Sequence, residues 1–375
     1  MSATPEALAE ATRHQPGAHA ALTAALERPS HAYLFAGPRG SGKRAAARAF
    51  AAELLASAAS DPEETRRRAM LDPSPHPDLV WLRPPGNQHL VEEVRERVIS
   101  QTAYRPFEGG RRAFVIEAAE SMADESQNAL LKTLEEPPEF THILLLSSAT
   151  GALLETVISR CRPVQFAPLP VEVIQERLEA SRSGDGAECR AASRLSGGDA
   201  EQAAFLVSEP GRELRASAEA CVRAARRGQL DGAPWRALLT GAEQAGAAAA
   251  EHTEAALLAE SEASSDKKEK ARGRRVAAEA AKRAGRRRRT ETLDLGLELC
   301  GLWVRDLAAA AEGLPELFYN ADRVDEVGAD ADGLDPVAAR QAGEQILDTR
   351  ARLRVNVSEE LALSALFYRV EDLLS

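Results

Sequence analysis

Leu34-Phe35-Ala36 runs into Gly37-Pro38-Arg39-Gly40-Ser41-Gly42-Lys43, and the alanine-rich stretch Ala45–Ala56 follows. A short apolar strand, a glycine-rich turn and a strong helix former, in that order, leave few folds open. Such glycines let backbone N–H groups converge in front of a helix N-terminus, where anions bind. Lys43 adds a point charge suited to the outer phosphates of a nucleotide. The pattern Gly37-x-x-x-x-Gly42-Lys43 is a phosphate loop that lacks its last residue. That position normally carries Ser or Thr, whose hydroxyl holds Mg²⁺; here it is Arg44. Gly37, Gly40, Ser41, Gly42, Lys43 and Arg44 are therefore candidate contacts for a nucleotide that is not hydrolysed. A tight turn kept for packing is the plainer alternative.

Further along, Asp78–Leu82, Ala113–Ile116 and Ile143–Leu146 read as strands. Leu90–Thr102, with Val91, Val94 and Val98 at helical spacing, and Ser126–Leu134 read as helices, the second stopped by Pro137-Pro138. Strands alternating with helices predict an α/β core, a parallel sheet covered on both faces. After Phe166 the strand signals fade. Short helices are expected over Val171–Ala180, Glu188–Ser196 and Ala200–Val207, then long Ala/Leu-rich helices from about Gly211 to the end. A chain of 375 residues exceeds one core. The expected division is an α/β core over 1–167, a small helical module over 168–210 and a helical domain over 211–375. The last carries a basic insertion around 260–290.

The strand Ala113–Ile116 ends in Glu117-Ala118. A working ATPase needs two acids there, one for the Mg²⁺ shell and one to polarise the attacking water. Glu117 can reach a metal, but the Ala118 methyl cannot orient water. Ser147 and Ser148 end the strand after Ile143, where they either sense phosphate or cap the strand. Arg160 follows Thr156-Val157-Ile158-Ser159 and precedes Cys161. An arginine alone in such a place is a surface ion pair by default; its distance after the sensor-like strand favours a guanidinium aimed at a neighbour's nucleotide. Cys161 reads as a small buried residue rather than a redox thiol.

Charge is unevenly placed. Lys267–Arg289 carries twelve Lys/Arg against two Glu, net +10, so the rest of the chain sums to −11 − 10 = −21. The acidic remainder repels nucleic acid, whereas the basic segment attracts it. The sequence leaves open whether that segment is a solvated helix or a disordered arm. Cys161, Cys189, Cys221 and Cys300 form no Cys-x-x-Cys pair, which argues against a disulfide framework or a zinc cluster. No apolar run approaches membrane-spanning length, and Met1–Gln15 holds no signal-like hydrophobic stretch. The expected compartment is the cytosol.

Three segments carry a specific resemblance: His31-Ala32-Tyr33-Leu34-Phe35-Ala36-Gly37-Pro38, Asn128-Ala129-Leu130-Leu131-Lys132-Thr133-Leu134-Glu135-Glu136-Pro137-Pro138, and Ser159-Arg160-Cys161. In that order and spacing they resemble the clamp-loader branch of the AAA+ ATPases. The likeness is strong over roughly 30–200 and weaker beyond 211, where a helical pattern and Val355–Leu363 fit. The resemblance implies a RecA-like core with a degenerate nucleotide site, a helical lid, and a C-terminal collar that joins five subunits in a ring. It implies that Arg160 is an arginine finger supplied in trans. The implied partners are the gamma/tau and delta subunits of bacterial DNA polymerase III, and through the complex the beta sliding clamp and primed DNA in the nucleoid-associated replisome. No cofactor would be required; ATP or ADP could contact the loop but would not be hydrolysed, and no membrane would be involved. Many relatives carry a four-cysteine zinc module where Ala56–Asp78 has no cysteine, so no zinc or other metal is expected. Near Ala200-Glu201, where active relatives place a second sensing arginine, an acid would repel the γ-phosphate. The competing readings are a catalytically active gamma/tau-like ATPase, against which Arg44 and Ala118 speak, and a DNA-associated protein acting through the basic arm.

Overall fold

The computed structural model describes residues 5–84, 89–181, 184–262, 267–353 and 358–375, the side chains of 260–272 aside. It divides into two compact units, Met1–Leu169 and Pro170–Ser375.

The first unit is built on a five-stranded sheet in the order β2-β3-β4-β1-β5. The strands are β1 (Ala32–Ala36), β2 (Leu79–Leu82), β3 (Arg112–Ile116), β4 (Thr141–Ser147) and β5 (Arg162–Gln165). Every pairing is parallel, with Leu34 beside Leu145, Ile116 beside Leu145 and Leu82 beside Ile116. Successive side chains on a strand point to opposite faces, and here both faces are buried. Tyr33, Phe35, Val115 and Leu144 pack on one side with Phe50 and Leu54 of the Lys43–Ala56 helix. Leu34, Phe114, Ile143 and Leu145 pack on the other with Val98, Leu130 and Leu134. This explains why β1, β3 and β4 read as continuous apolar runs. Alanines at 46, 47, 49, 51 and 52 are all buried, so small side chains bring the Lys43–Ala56 helix close to the sheet.

The expected helix over 90–102 is present, interrupted by a π-helical turn at Arg95–Ile99. The helices Glu6–Ala11, Pro16–Glu27, Pro62–Met70 and the short Glu155–Ile158 were not anticipated. Pro62–Met70 starts as such helices do, with the Asp61 carboxylate accepting from Glu64 N at 3.1 Å and Pro62 in the first turn.

The second unit is helical throughout. Val171–Ala180, Gly186–Leu195 and Ala200–Leu206 are short; Glu209–Arg226, Pro336–Arg352 and Glu359–Leu374 are longer. The basic segment belongs to a 45-residue helix, Lys267–Ala311, packed against Arg236–Glu262. These two helices meet at Gly246 and Gly285, where a Cβ on either would lie within 3 Å of the other's carbonyl oxygen. Of the two forms the sequence left open for Lys267–Arg289, the structure gives the helix. Val355–Val357 of the terminal stretch lie outside the described residues. No helix among the described residues is long and apolar enough to cross a membrane.

Candidate functional site

The carboxyl ends of β1, β3 and β4 gather the loop and the polar residues singled out above, as in open parallel sheets that bind ligands at that edge. Gly40 and Gly42 adopt left-handed backbone with φ of 64° and 91°, which glycine reaches without strain. Gly37 N donates to the Ser147 carbonyl at 3.2 Å and ties the loop to the end of β4. Lys43 is 8% exposed, and its Nζ donates to the carbonyls of Gly37 at 2.6 Å and Pro38 at 2.5 Å. Its ammonium thus sits under the loop, with Ser41 Oγ at 3.4 Å.

Arg44, in the first turn of the Lys43–Ala56 helix, stands in the position where a metal-binding hydroxyl is expected. Its Nε donates to Glu117 Oε1 at 2.8 Å and its Nη2 to Glu117 Oε2 at 3.2 Å, a bidentate pair. Glu117 also accepts from Trp81 Nε1 at 2.5 Å and Arg83 Nε at 3.1 Å. Burial raises the pKa of this carboxyl, but the Arg44 and Arg83 charges and the donated hydrogen bonds outweigh it and hold it below the usual glutamate range. Of the two residues that would share Mg²⁺, one has become a cation and bonds the other. A dication about 4 Å from the guanidinium would meet repulsion of about 2 kcal/mol in the bulk-water limit and about 8 at an effective dielectric of about 20. Glu117, read from sequence as able to reach a metal, has both carboxylate oxygens engaged.

Ala118 is one of two non-glycine residues with positive φ among the described residues, at 48°. Its methyl stands where a water-orienting acid is needed. Ser147 is buried and its Oγ accepts from Ala149 N at 3.2 Å, so its hydroxyl shapes the turn after β4. Ser148 is exposed, and its N–H donates to Glu120 Oε1 at 3.2 Å.

Arg160 follows the short helix Glu155–Ile158 and is exposed. Its Nη1 donates to the Thr156 carbonyl at 2.8 Å, and its Nη2 pairs with Glu135 Oε1 at 2.5 Å. Glu135 closes the helix Asp124–Glu135, so the Leu-Leu-Lys-Thr-Leu-Glu-Glu segment and the Ser-Arg-Cys segment are joined by this pair. Gln127 fixes the approach by donating to the Met122 carbonyl at 3.0 Å and accepting from Leu154 N at 2.8 Å. Cys161 is buried, and burial pushes its thiol up to about 12, so it carries no thiolate at neutral pH.

The loop, Arg44, Glu117, Ala118 and Ser147 come together on one edge of the sheet, while Arg160 stands with Glu135. In the second unit, Ala200 and Glu201 open a helix capped by Asp199, whose carboxylate accepts from Glu201 N at 2.9 Å. Sequence reasoning missed Trp81 and Arg83. Their signal was place: β2 runs parallel to β3 with Leu82 beside Ile116, so residues ending β2 reach Glu117.

Comparison with known proteins agrees with this architecture. Residues 15–170 match the family model described as DNA polymerase III, delta subunit. The delta-prime subunit of Pseudomonas aeruginosa DNA polymerase III is 37% identical over 214 residues, covering 55% of this chain and 64% of that one. The delta-prime subunit of Bacillus subtilis is 34% identical over 157 residues, 40% of this chain and 46% of its own length. The tau subunit of Escherichia coli is 33% identical over 160 residues, 41% of this chain and 24% of that protein. The chain thus spans less than two thirds of the length of these relatives. Over residues 15–170 the chain is thus similar to the DNA polymerase III delta-subunit family, and its similarity to curated delta-prime subunits reaches 37% identity.

Proposed function

We propose that the chain is the delta-prime subunit of a bacterial clamp loader, a stator that hydrolyses no ATP and lends Arg160 to the nucleotide site of a neighbouring gamma/tau subunit. The observation that carries this reading is the Arg44–Glu117 pair, which puts a guanidinium between the two positions that would hold Mg²⁺. Ala118 beside it supports the same reading, because a methyl cannot orient water. The exposure of Arg160 supports the second half of the reading, because a finger must reach beyond its own subunit. Nucleotide can still contact the loop through its N–H groups, but no cofactor or zinc is required. On this reading the helices over 168–210 act as a lid and those over 211–375 as a collar that joins gamma/tau and delta subunits. The assembly would load the beta sliding clamp onto primed DNA in the cytoplasm, at the nucleoid-associated replisome.

Similarity to the E. coli tau subunit gives the alternative, an active gamma/tau-like ATPase. One preparation separates the two. The purified chain alone is expected to release no phosphate from ATP above background, and to enter a stable multi-subunit complex when mixed with gamma/tau and delta. Turnover by the lone chain would refute the stator reading, and failure to assemble would refute the family role.

A further inference from the structure

The basic helix carries a face that the stator role does not use. Among its described cations, several are committed within the unit. Arg283 pairs with Glu279 at 3.5 Å, Arg287 with Glu291 at 3.0 Å and Arg289 with Glu359 at 2.8 Å. Arg288 lies over the Phe205 ring at 4.8 Å. Arg274, Arg275, Lys282 and Arg286 are exposed, and no carboxylate pairs with them among the described residues. At about 100° per residue, Arg275, Lys282 and Arg286 fall within about 40° of one another on the helix surface. Ala277, Ala281 and Gly285, which face the partner helix, are buried on the other side. The three cations form a column about 16 Å long at a rise of about 1.5 Å per residue. Glu279 shares this column but is turned to Arg283.

We infer that this column is a nucleic-acid surface that grips the phosphate backbone of duplex DNA without reading sequence. One DNA strand offers a phosphate about every 3.4 Å along its axis, so about five lie within reach of the column. Charge separation supports this occupant. The exposed carboxylates of the partner helix, Glu243, Glu251 and Glu254, have not drawn these cations into pairs, while net +10 sits on one segment of a chain that is otherwise −21. A protein partner would want an apolar centre, and Val276 is the only large apolar side chain exposed on either helix among the described residues. The inference goes beyond the stator role by giving the chain a DNA contact of its own, and it does not depend on Arg160.

The test uses the full chain, a fluorescein-labelled duplex of arbitrary sequence and anisotropy measured from 50 to 200 mM KCl. Each lost phosphate contact flattens the dependence of log K on log salt by about 0.9. The triple variant Arg275→Gln, Lys282→Gln, Arg286→Gln is therefore expected to lose about 2.7 of slope and to weaken binding at least tenfold at 50 mM. Arg275→Lys, Lys282→Arg, Arg286→Lys keeps the charges and should bind within twofold of the native chain, while Glu279→Gln should bind several-fold tighter. No binding by the native chain at 50 mM, or an unchanged slope in the neutral triple variant, overturns the inference. It is equally overturned if the neutral variant binds DNA normally but no longer assembles with polymerase III subunits, which would assign the face to protein.

Discussion

Replacing Arg160 with alanine separates a borrowed guanidinium from a decorative one. In the isolated chain the side chain is 34% exposed and pairs with Glu135, itself 48% exposed. A pair this open to water is worth about 0.2–1 kcal/mol, so Arg160→Ala should lower the melting temperature of the chain by no more than about 4 °C. A finger acting on a neighbour's transferring phosphoryl group accelerates hydrolysis by about 10³–10⁵, which is about 4–7 kcal/mol of barrier. The contact to Glu135 is several-fold weaker than that contribution, so it can hold the side chain in the free subunit and release it on assembly. The assay is single-turnover hydrolysis by the complex reconstituted with gamma/tau and delta, in the presence of primed DNA and clamp. The phase belonging to the adjacent site should slow by about 10³ or more, while phases from the other sites persist and the complex stays intact. Arg160→Lys keeps the charge but not the planar fork and should recover only part of the rate. Glu135→Ala should leave the rate within twofold. An intact Arg160→Ala complex with every phase unchanged would remove the finger and with it half of the proposed function.

Arg44→Ser restores the missing hydroxyl and frees Glu117, so Mg²⁺-dependent binding of a non-hydrolysable ATP analogue should appear by calorimetry, with no phosphate release because Ala118 remains. Release by that single variant would show that position 118 is not limiting. Burial, then the nearby Arg111 and His31 charges, pull His142 down to about 4 against the Ser30 carbonyl to which Nδ1 donates at 2.9 Å. The unfolded chain therefore takes up this proton first, and stability should fall by about 3 kcal/mol as pH drops from about 6.5 to about 4. Chemical denaturation of His142→Asn should be flatter across that window, and an equally steep profile would assign the loss to other groups. Gly285→Val places a Cβ 2.9 Å from the Gly246 carbonyl and should destabilise the second unit by about 1–3 kcal/mol. An unchanged melting temperature would mean that these helices do not touch.

What the sequence revealed and what it hid divide along the range of the interactions involved. β1, β3 and β4 were legible because burial on both faces turns a strand into an unbroken apolar run, and the loop after β1 was legible because its glycines answer a local backbone demand. β5 was not. It is an edge strand whose Arg162, Pro163 and Gln165 side chains are exposed, leaving Val164 as the one buried residue. The conformation of Lys267–Arg289 was undecidable because a charged run scores alike as a solvated helix or a free arm. The deciding contact comes from Gly246 on another helix. The residues at 44 and 118 were readable position by position, but the bond between Arg44 and Glu117 joins residues 73 apart and follows only from strand order.

On the proposed reading, that bond also accounts for the acid at the end of β3. Without the Glu117 carboxylate, Arg44 and Arg83 would face one another across the edge of the sheet with Trp81 Nε1 lacking its acceptor. Two like charges brought together with a stranded donor destabilise more than an acid held by three donors costs to bury. With arginine at position 44, the contacts that Glu117 makes in the fold are by themselves enough to account for the acid. Its presence in a sequence of this kind is therefore no sign of ATP turnover. The residue that distinguishes a hydrolysing edge from a silent one is the hydroxyl or guanidinium at the start of the helix, read together with its neighbour at 118.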